Sequence, residues 1–266
     1  MSLALESALS KIVRVMGYHE PFEDCIAKYR SDKPFEIITN PDGNKELKIL
    51  KPPPIELSIL AGEELYHLRS ALDHLFFELV EKNLIGSLPR GVFKTCQFPL
   101  YTKVPDAAKG VLPVDRKHLG IPYWVPDLAY TYIESLQPYH RKDDRHRMLR
   151  FLVKLSNIDK HRRLSTTVTR VDRRETFKVT NPDLTYTVTH SMLDNGTILG
   201  PVSPLPVFDK DIIGDRQVHV ESEFIPQIAF DEPEIGPPQA VLLNEVIYDL
   251  PVVVWHIFLG FKQLLA

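Results

Sequence analysis

The sequence predicts an α+β protein: a helical bundle with an inserted antiparallel β-sheet before the C-terminal helix. Three observations carry this. Apolar residues recur at helical spacing over residues 55–82 and again over 140–163. Between Leu164 and about Asp231 the apolar period switches to two, with β-branched and aromatic residues enriched. Helical character then returns after Pro237-Pro238. The expected bundle comprises residues 4–30, 55–82, 127–163 and 239–265, with a β-rich insertion over 164–235. The whole of 1–266 is expected to be one interwoven domain, because the apolar last helix needs the earlier ones to close around it.

Taken in order, Leu5, Ala8, Ile12, Val15 and Met16 place one face on a first helix running to residue 30. Phe35–Thr39 and Glu46–Leu50 read as strands around Asn40-Pro41-Asp42-Gly43-Asn44, where Asp-Gly marks a hairpin. Pro52-Pro53-Pro54 closes that unit and leads into a helix over residues 55–82. Its stripe of Leu65, Leu68, Leu72, Leu75 and Leu79 is that of a buried spine. Residues 85–125 are punctuated by proline and glycine throughout and read as a long connection. Asp127–Gln137 is a short helix stopped by Pro138, and His140–Arg163 a second one facing Met148, Phe151, Leu152, Leu155 and Ile158 inward. Residues 168–171, 176–179, 186–189 and 218–221 suit strands of a five- or six-stranded sheet, with a tight turn at Asn195-Gly196. Pro251 is expected to kink or break the last helix.

Composition narrows the function classes. With 44% hydrophobic and 25% charged residues the chain is neither disordered nor fibrous. Two cysteines, Cys25 and Cys96, cannot form a secreted disulfide framework or a cysteine-rich zinc site. Leu250–Phe261, the most apolar stretch, is too short to span a bilayer and contains Pro251 and His256. A soluble, cytoplasmic protein without a membrane partner is the expectation. Gly-x-Gly-x-x-Gly, a phosphate-loop Gly-Lys-Ser/Thr and Gly-x-Ser-x-Gly are all absent, so no nucleotide cofactor and no serine-hydrolase chemistry are expected.

Charge is unevenly distributed. From His140 to Arg174 there are twelve Lys and Arg against Asp143, Asp144, Asp159 and Asp172. That segment carries +8, which leaves −11 elsewhere in a chain of net charge −3. It is expected to form the most positive surface, suited to RNA or another polyanion, with Arg145, Arg147, Lys160 and His161 as candidate anion ligands. The alternative is a solvated helix face whose charge complements the helix dipole.

Two polar groups stand out. Glu63, His67, Ser70 and His74 lie on the side of the long helix opposite its leucine stripe, while Arg69 and Asp73 form an i,i+4 pair at its border. On the basic helix Asp159 and Arg162 fall on the apolar side, near Asn157. Because unpaired buried charge is costly, Arg69, Asp73, Asn157, Asp159 and Arg162 are expected in one interhelical network. Such a network either fixes helix pairing or forms the floor of a site.

Leu68-Arg69-Ser70-Ala71-Leu72-Asp73-His74-Leu75, Phe98-Pro99, Leu136-Gln137-Pro138-Tyr139 and Asn157-Ile158-Asp159-Lys160-His161-Arg162 resemble, in that order, segments of a family of uncharacterised bacterial proteins. That resemblance covers residues 55–163 and implies no activity. Arg69-x4-His74 is also similar to the Arg-x4–6-His signature of the HEPN superfamily of helical nucleases and nucleotide-binding proteins, and the same spacing recurs at Arg14–His19 and Arg141–His146. The resemblance implies a metal-independent ribonuclease. In it His74 would be the general acid/base, Arg69 would neutralise developing phosphate charge, and the site would form where two subunits of a homodimer meet. The β-rich insertion departs from the smaller members of that superfamily. A metal reading would join Glu63, His67, His74 and His161, but His-Glu-x-x-His is absent and no metal is expected. Two readings therefore stand: an RNA-directed, HEPN-like protein centred on Arg69 and His74, or a non-catalytic interaction or ligand-binding protein whose polar network is structural.

Overall fold

Local chemistry sets the first helix. Ser2 accepts a hydrogen bond from the Leu5 amide at 3.3 Å, and α1 (Leu3–Met16) buries Leu5, Ala8, Ile12 and Val15 on one stripe. In the computed structural model, residues 2–39, 41, 45–84, 86, 96–104, 119, 121–179, 184–194, 198–199, 218–235 and 241–265 are described. The Asn40–Asn44 and Asn195-Gly196 turns (Pro41 apart), most of the proline-rich connection, and residues 236–240 lie outside them.

The single helix expected over residues 4–30 is two. Gly17 ends α1, and α2 (His19–Ser31) starts afresh with Pro21 in its first turn, where a missing N–H costs nothing. The hairpin is present: β1 (Phe35–Thr39) pairs antiparallel with β2 (Lys45–Ile49), Phe35 opposite Ile49. α3 (Ile55–Lys82) has the expected limits, and all five stripe leucines are buried. α4 (Asp127–Ser135) and a 3₁₀ turn (Pro138–His140) precede α5 (Asp144–Asp159). That helix starts four residues later than expected because Asp143 caps it by accepting from the His146 amide at 3.0 Å.

The sheet differs from expectation. Residues 168–171 and 176–179 belong to one 14-residue strand, β3 (Thr166–Val179), flanked antiparallel by β4 (Leu184–Asp194) and β6 (Val218–Phe230) in the order β4-β3-β6. Among the described residues this sheet has three strands, not five or six. The two-residue β5 (Ile198–Leu199) instead pairs with β2, tying the insertion to the N-terminal hairpin. Arg170, Asp172, Arg173, Arg174 and Glu175 interrupt the apolar pattern of β3, but no glycine, proline or asparagine stands among them, so the backbone continues. The root of the sheet is anchored in the helical core. Val168, Ile228, Ala229 and Phe230 are buried, the Asp231 amide donates to the Ser165 carbonyl at 2.9 Å, and the Phe230 amide donates to Val241 at 3.2 Å.

Pro251 does not break the last helix. A π-helical stretch, Glu245–Asp249, runs directly into α6 (Leu250–Leu264). The wider turn ahead of the proline relieves the clash between its ring and the carbonyl of Ile247. α6 buries Val254, Ile257, Phe258 and Phe261 against α1, α3, α4 and α5.

α3 and α5 meet at a glycine. A Cβ on buried Gly62 would stand 2.6 Å from an Asp159 carboxylate oxygen, so a larger residue there would have to displace the Asp159 side chain. Gly62→Ala is expected to lower stability in urea unfolding by about 1–3 kcal/mol through overpacking. In an Asp159→Ala background the same change should cost nothing or gain up to about 1 kcal/mol, because alanine is the better helix former. An equal cost in both backgrounds would refute the contact.

Candidate functional site

The expected interhelical network is not what the fold builds. Asp159 meets α3 at Gly62, seven to eleven residues, or roughly 10–16 Å of helix, from Arg69 and Asp73. Arg162 turns to the root of the sheet instead, 2.7 Å from buried Glu232 and 3.1 Å from Glu234. Asn157 is exposed. Two helices crossing at one small residue cannot also pair charged side chains two to three turns away, which is why the shared stripe positions misled. Asp159 is left half-buried without an ion pair among the described residues, and desolvation pushes its carboxyl up.

Arg69 and Asp73 have a different task. The Arg69 guanidinium donates to the Phe98 carbonyl at 2.7 Å and lies 3.5 Å from Asp73, whose carboxylate accepts from the Phe98 amide at 2.8 Å. One turn of α3 thus holds both backbone groups of a buried residue in an irregular segment. Gln137, fully buried, repeats the device: it donates to the Pro99 carbonyl at 2.8 Å and accepts from the Tyr101 amide at 3.1 Å. Phe98 is thereby seated between Phe76 and Phe261 at ring separations of 6.2 and 5.6 Å. Burial pushes the Arg69 guanidinium down, with the Asp73 carboxylate opposing.

His74, the other residue of the Arg-x4-His spacing, is partly buried. Desolvation and then Lys11 of α1 push it down from the ordinary histidine value. His67 shifts the same way, through burial and then Lys11 and Arg14. The polar face of α3 therefore looks onto the basic side of α1. Among the described residues no three His, Cys, Asp or Glu side chains converge as a metal-ligand set.

The candidate anion ligands do not converge. Arg145 and Arg147 stand on the first turn of α5, whereas Lys160 and His161 lie exposed beyond its last, roughly 20 Å away along the helix. Arg145 lies 3.5 Å from Asp143, and Arg147 is taken up by Glu245 at 2.8 Å and Asp144 at 3.3 Å. What the fold does assemble at this end is a cleft of about 660 Å³ lined by the cations Arg141, Lys142, Arg147 and Arg150 and the acids Asp143 and Asp144, over Phe151 and Ile235. Arg141, Lys142 and Arg150 make no ion pair among the described residues. Arg141 sits in the left-handed region (φ 53°, ψ 31°), a conformation that costs a non-glycine residue about 1–3 kcal/mol and that clusters at ligand sites. Sequence reasoning counted these three cations in the basic segment but did not single them out. The 147, 150, 154 spacing, one face of a helix, is the signal that was there to find.

A second residue was missed. Glu64 is fully buried in α3, neither carboxylate oxygen has a hydrogen-bond partner among the described residues, and desolvation pushes its pKa up to about 10. With His67, whose Nδ1 is also buried and unpartnered, it forms a Glu-x-x-His spacing on adjacent turns of α3. Compared with known family models, curated proteins and solved structures, the chain matches none.

Two outcomes follow from this geometry. Asp73→Ala should cost about 1.5–3 kcal/mol, the range for a hydrogen bond to a charged group, and should raise hydrogen exchange at the Phe98 amide while that of α5 is unchanged. Glu64 binds its proton more tightly folded than unfolded. Its contribution to stability is therefore complete below the ordinary value of 4.5 and is lost as pH rises through about 10, by up to ~1.4 kcal/mol per pH unit. Glu64→Gln should remove that slope from a series of urea titrations between pH 6 and 9; an unchanged slope would show that Glu64 ionises freely.

Proposed function

We propose that this protein is a non-catalytic polyanion-binding protein that engages the sugar-phosphate backbone of RNA through the basic cleft at the start of α5. The single observation that carries the proposal is crowding of like charge. Lys154, one turn beyond Arg150, is pushed down first by burial and then by Arg150, Arg141 and Lys103, with Glu234 the one opposing acid. In the cleft itself four cations, Arg141, Lys142, Arg147 and Arg150, face two acids, Asp143 and Asp144, and an anion placed there offsets the excess positive charge.

Beyond the cleft Lys154 follows Arg147 and Arg150 on the same face of α5, its ammonium donating to the Glu234 carbonyl, so positive charge runs further than a single small anion occupies. Phosphates spaced along a polymer suit such a run, whereas one phosphate would leave most of it uncompensated. Phe151 and Ile235 form a buried apolar floor beneath these cations, and the Arg147 guanidinium lies 5.5 Å over the Phe151 ring, so the cleft presents charge and not a stacking surface. A ribonuclease reading gains no support from the same geometry, since the Arg69 guanidinium is occupied by Phe98 and Asp73.

The test is binding of a fluorescent 20-nucleotide single-stranded RNA as a function of salt. With three or four phosphate contacts, log K should fall against log salt with a slope of roughly −2 to −3. The Arg141→Glu/Lys142→Glu/Arg150→Glu variant should bind at least ~10-fold more weakly and with a flatter slope. Affinity independent of salt, or unchanged in the variant, defeats the proposal. Cleavage of the RNA in excess chelator that is lost in His74→Ala would replace it with the catalytic reading.

A further inference from the structure

A second concavity, of about 610 Å³, lies between α2 and the first turns of α3 and is closed on a third side by the connection that carries Lys51, Pro52 and Pro54. Its character is opposite to that of the basic cleft. Ile59, Leu60 and three prolines, Pro21, Pro52 and Pro54, make its surface mainly apolar, and Ile59 is half exposed where a solvent-facing helix position would ordinarily be polar. Tyr29 forms a wall, its ring fixed by a hydrogen bond from its hydroxyl to the Lys51 carbonyl at 2.7 Å.

Acids surround this surface. Glu56, Ile59 and Glu63 follow one another at i, i+3 and i+7 on α3, so the two carboxylates bracket the isoleucine. Asp24 faces them from α2. None of Asp24, Glu56 and Glu63 makes an ion pair or side-chain hydrogen bond among the described residues. The fourth acid, Asp32, is neutralised by Lys51 at 3.5 Å, which leaves Lys28 as the one cation at the groove without an acidic partner. Three free carboxylates against one free ammonium leave a net charge of −2 around an apolar bed. The Cys25 thiol in the same groove adds no negative charge, because burial and Glu56 push it up, away from the thiolate.

An anion is repelled here, and a neutral apolar molecule leaves the carboxylates unused. A free polyamine meets the carboxylates but gains nothing from Ile59, Leu60 and the prolines. The concavity is of the size that encloses a small molecule, and its prolines hold it in shape before anything binds. We infer that the groove between α2 and α3 is a binding site for a cationic amphipathic small molecule, an ammonium group carried on an aromatic or aliphatic body. The ammonium is held by the field of Asp24, Glu56 and Glu63 around the groove, and the body lies on Ile59, Leu60 and the flanking prolines. This site is independent of the basic cleft and of what binds there.

Tryptamine, tryptophol and indole-3-propionate share one apolar body and differ in the charge of the head group, so they isolate the two parts of the inference. Titrated into the ¹⁵N-labelled 266-residue chain, tryptamine is expected to shift amides of residues 22–32 and 55–63. It should bind at least ~10-fold more tightly than tryptophol, the factor that about two partly exposed charge pairs supply, with the propionate weakest. Glu56→Gln/Glu63→Gln should bring tryptamine down to the affinity of tryptophol and leave tryptophol unchanged. Both substitutions are on exposed positions, and an unaltered thermal melt confirms that the fold persists. Ile59→Ser should weaken tryptamine and tryptophol alike. Equal affinity of the three compounds, a tryptamine preference that survives in the double variant, shifts confined to other parts of the chain, or no shift at millimolar tryptamine each overturns the inference. A basic amphipathic helical peptide that occupies the groove at concentrations where tryptamine does not would make it a protein-docking surface and overturn it as well.

Discussion

The backbone of residues 98–101 runs through the centre of the molecule without belonging to a helix or a strand, and its polar groups must still be satisfied. Arg69 and Asp73 take the carbonyl and amide of Phe98, and Gln137 takes the carbonyl of Pro99 and the amide of Tyr101. An unpaired buried backbone group costs about as much as a lost hydrogen bond, so these three side chains stand in for the strand that is not there. Much else depends on them. With Phe98 fixed, its ring packs against Phe76 of α3 and Phe261 of α6, and the last helix is locked onto the first long one. This constraint gives the strings around Arg69, Phe98 and Gln137 one common purpose, which is to hold an irregular buried segment in place.

The same logic separates structural charge from available charge. Arg69, Arg147 and Arg162 each end on a carboxylate that fixes two elements together: Asp73 beside the Phe98 segment, Glu245 at the π-helical entry to α6, and Glu232 at the root of the sheet. A cation so placed has its interactions already made. Arg141, Lys142 and Arg150 have not, and neither have Asp24, Glu56 and Glu63 at the other concavity. Function is better sought where charges of one sign gather unpaired around a concavity than where motifs recur, because the motifs here are mostly consumed by the fold.

Glu64 fits neither class. It is a carboxyl group buried without a hydrogen bond among the described residues, next to a π-helical stretch whose Tyr248 is pushed up by burial, by Glu23 and, in lesser measure, by Glu64 itself. It survives in the core by remaining protonated at neutral pH, which burial alone suffices to enforce. Nothing in the structure explains why a carboxyl rather than a methyl-bearing side chain stands there.

The sequence by itself determined the α+β class, the limits of α3 and its leucine stripe, the hairpin of β1 and β2, and the basic character of the α5 segment. These are local properties: periodicity, turn chemistry and charge are set by neighbours in the chain. It also carried, unnoticed, the Glu64-x-x-His67 spacing and the one-face run of Arg147, Arg150 and Lys154. Tertiary structure alone decided which charges pair. Two residues at matching positions on two helices, such as Arg69 and Asp159, become partners only if the helices cross near both. Asp159 instead meets α3 at Gly62, where one absent Cβ leaves room for its carboxylate, a contact that no periodicity reveals. It likewise decided that Arg69 would face Phe98, twenty-nine residues away, across a connection whose path no local rule specifies. Side-chain partners at that range are fixed by how the elements pack, and packing is a property of the whole chain.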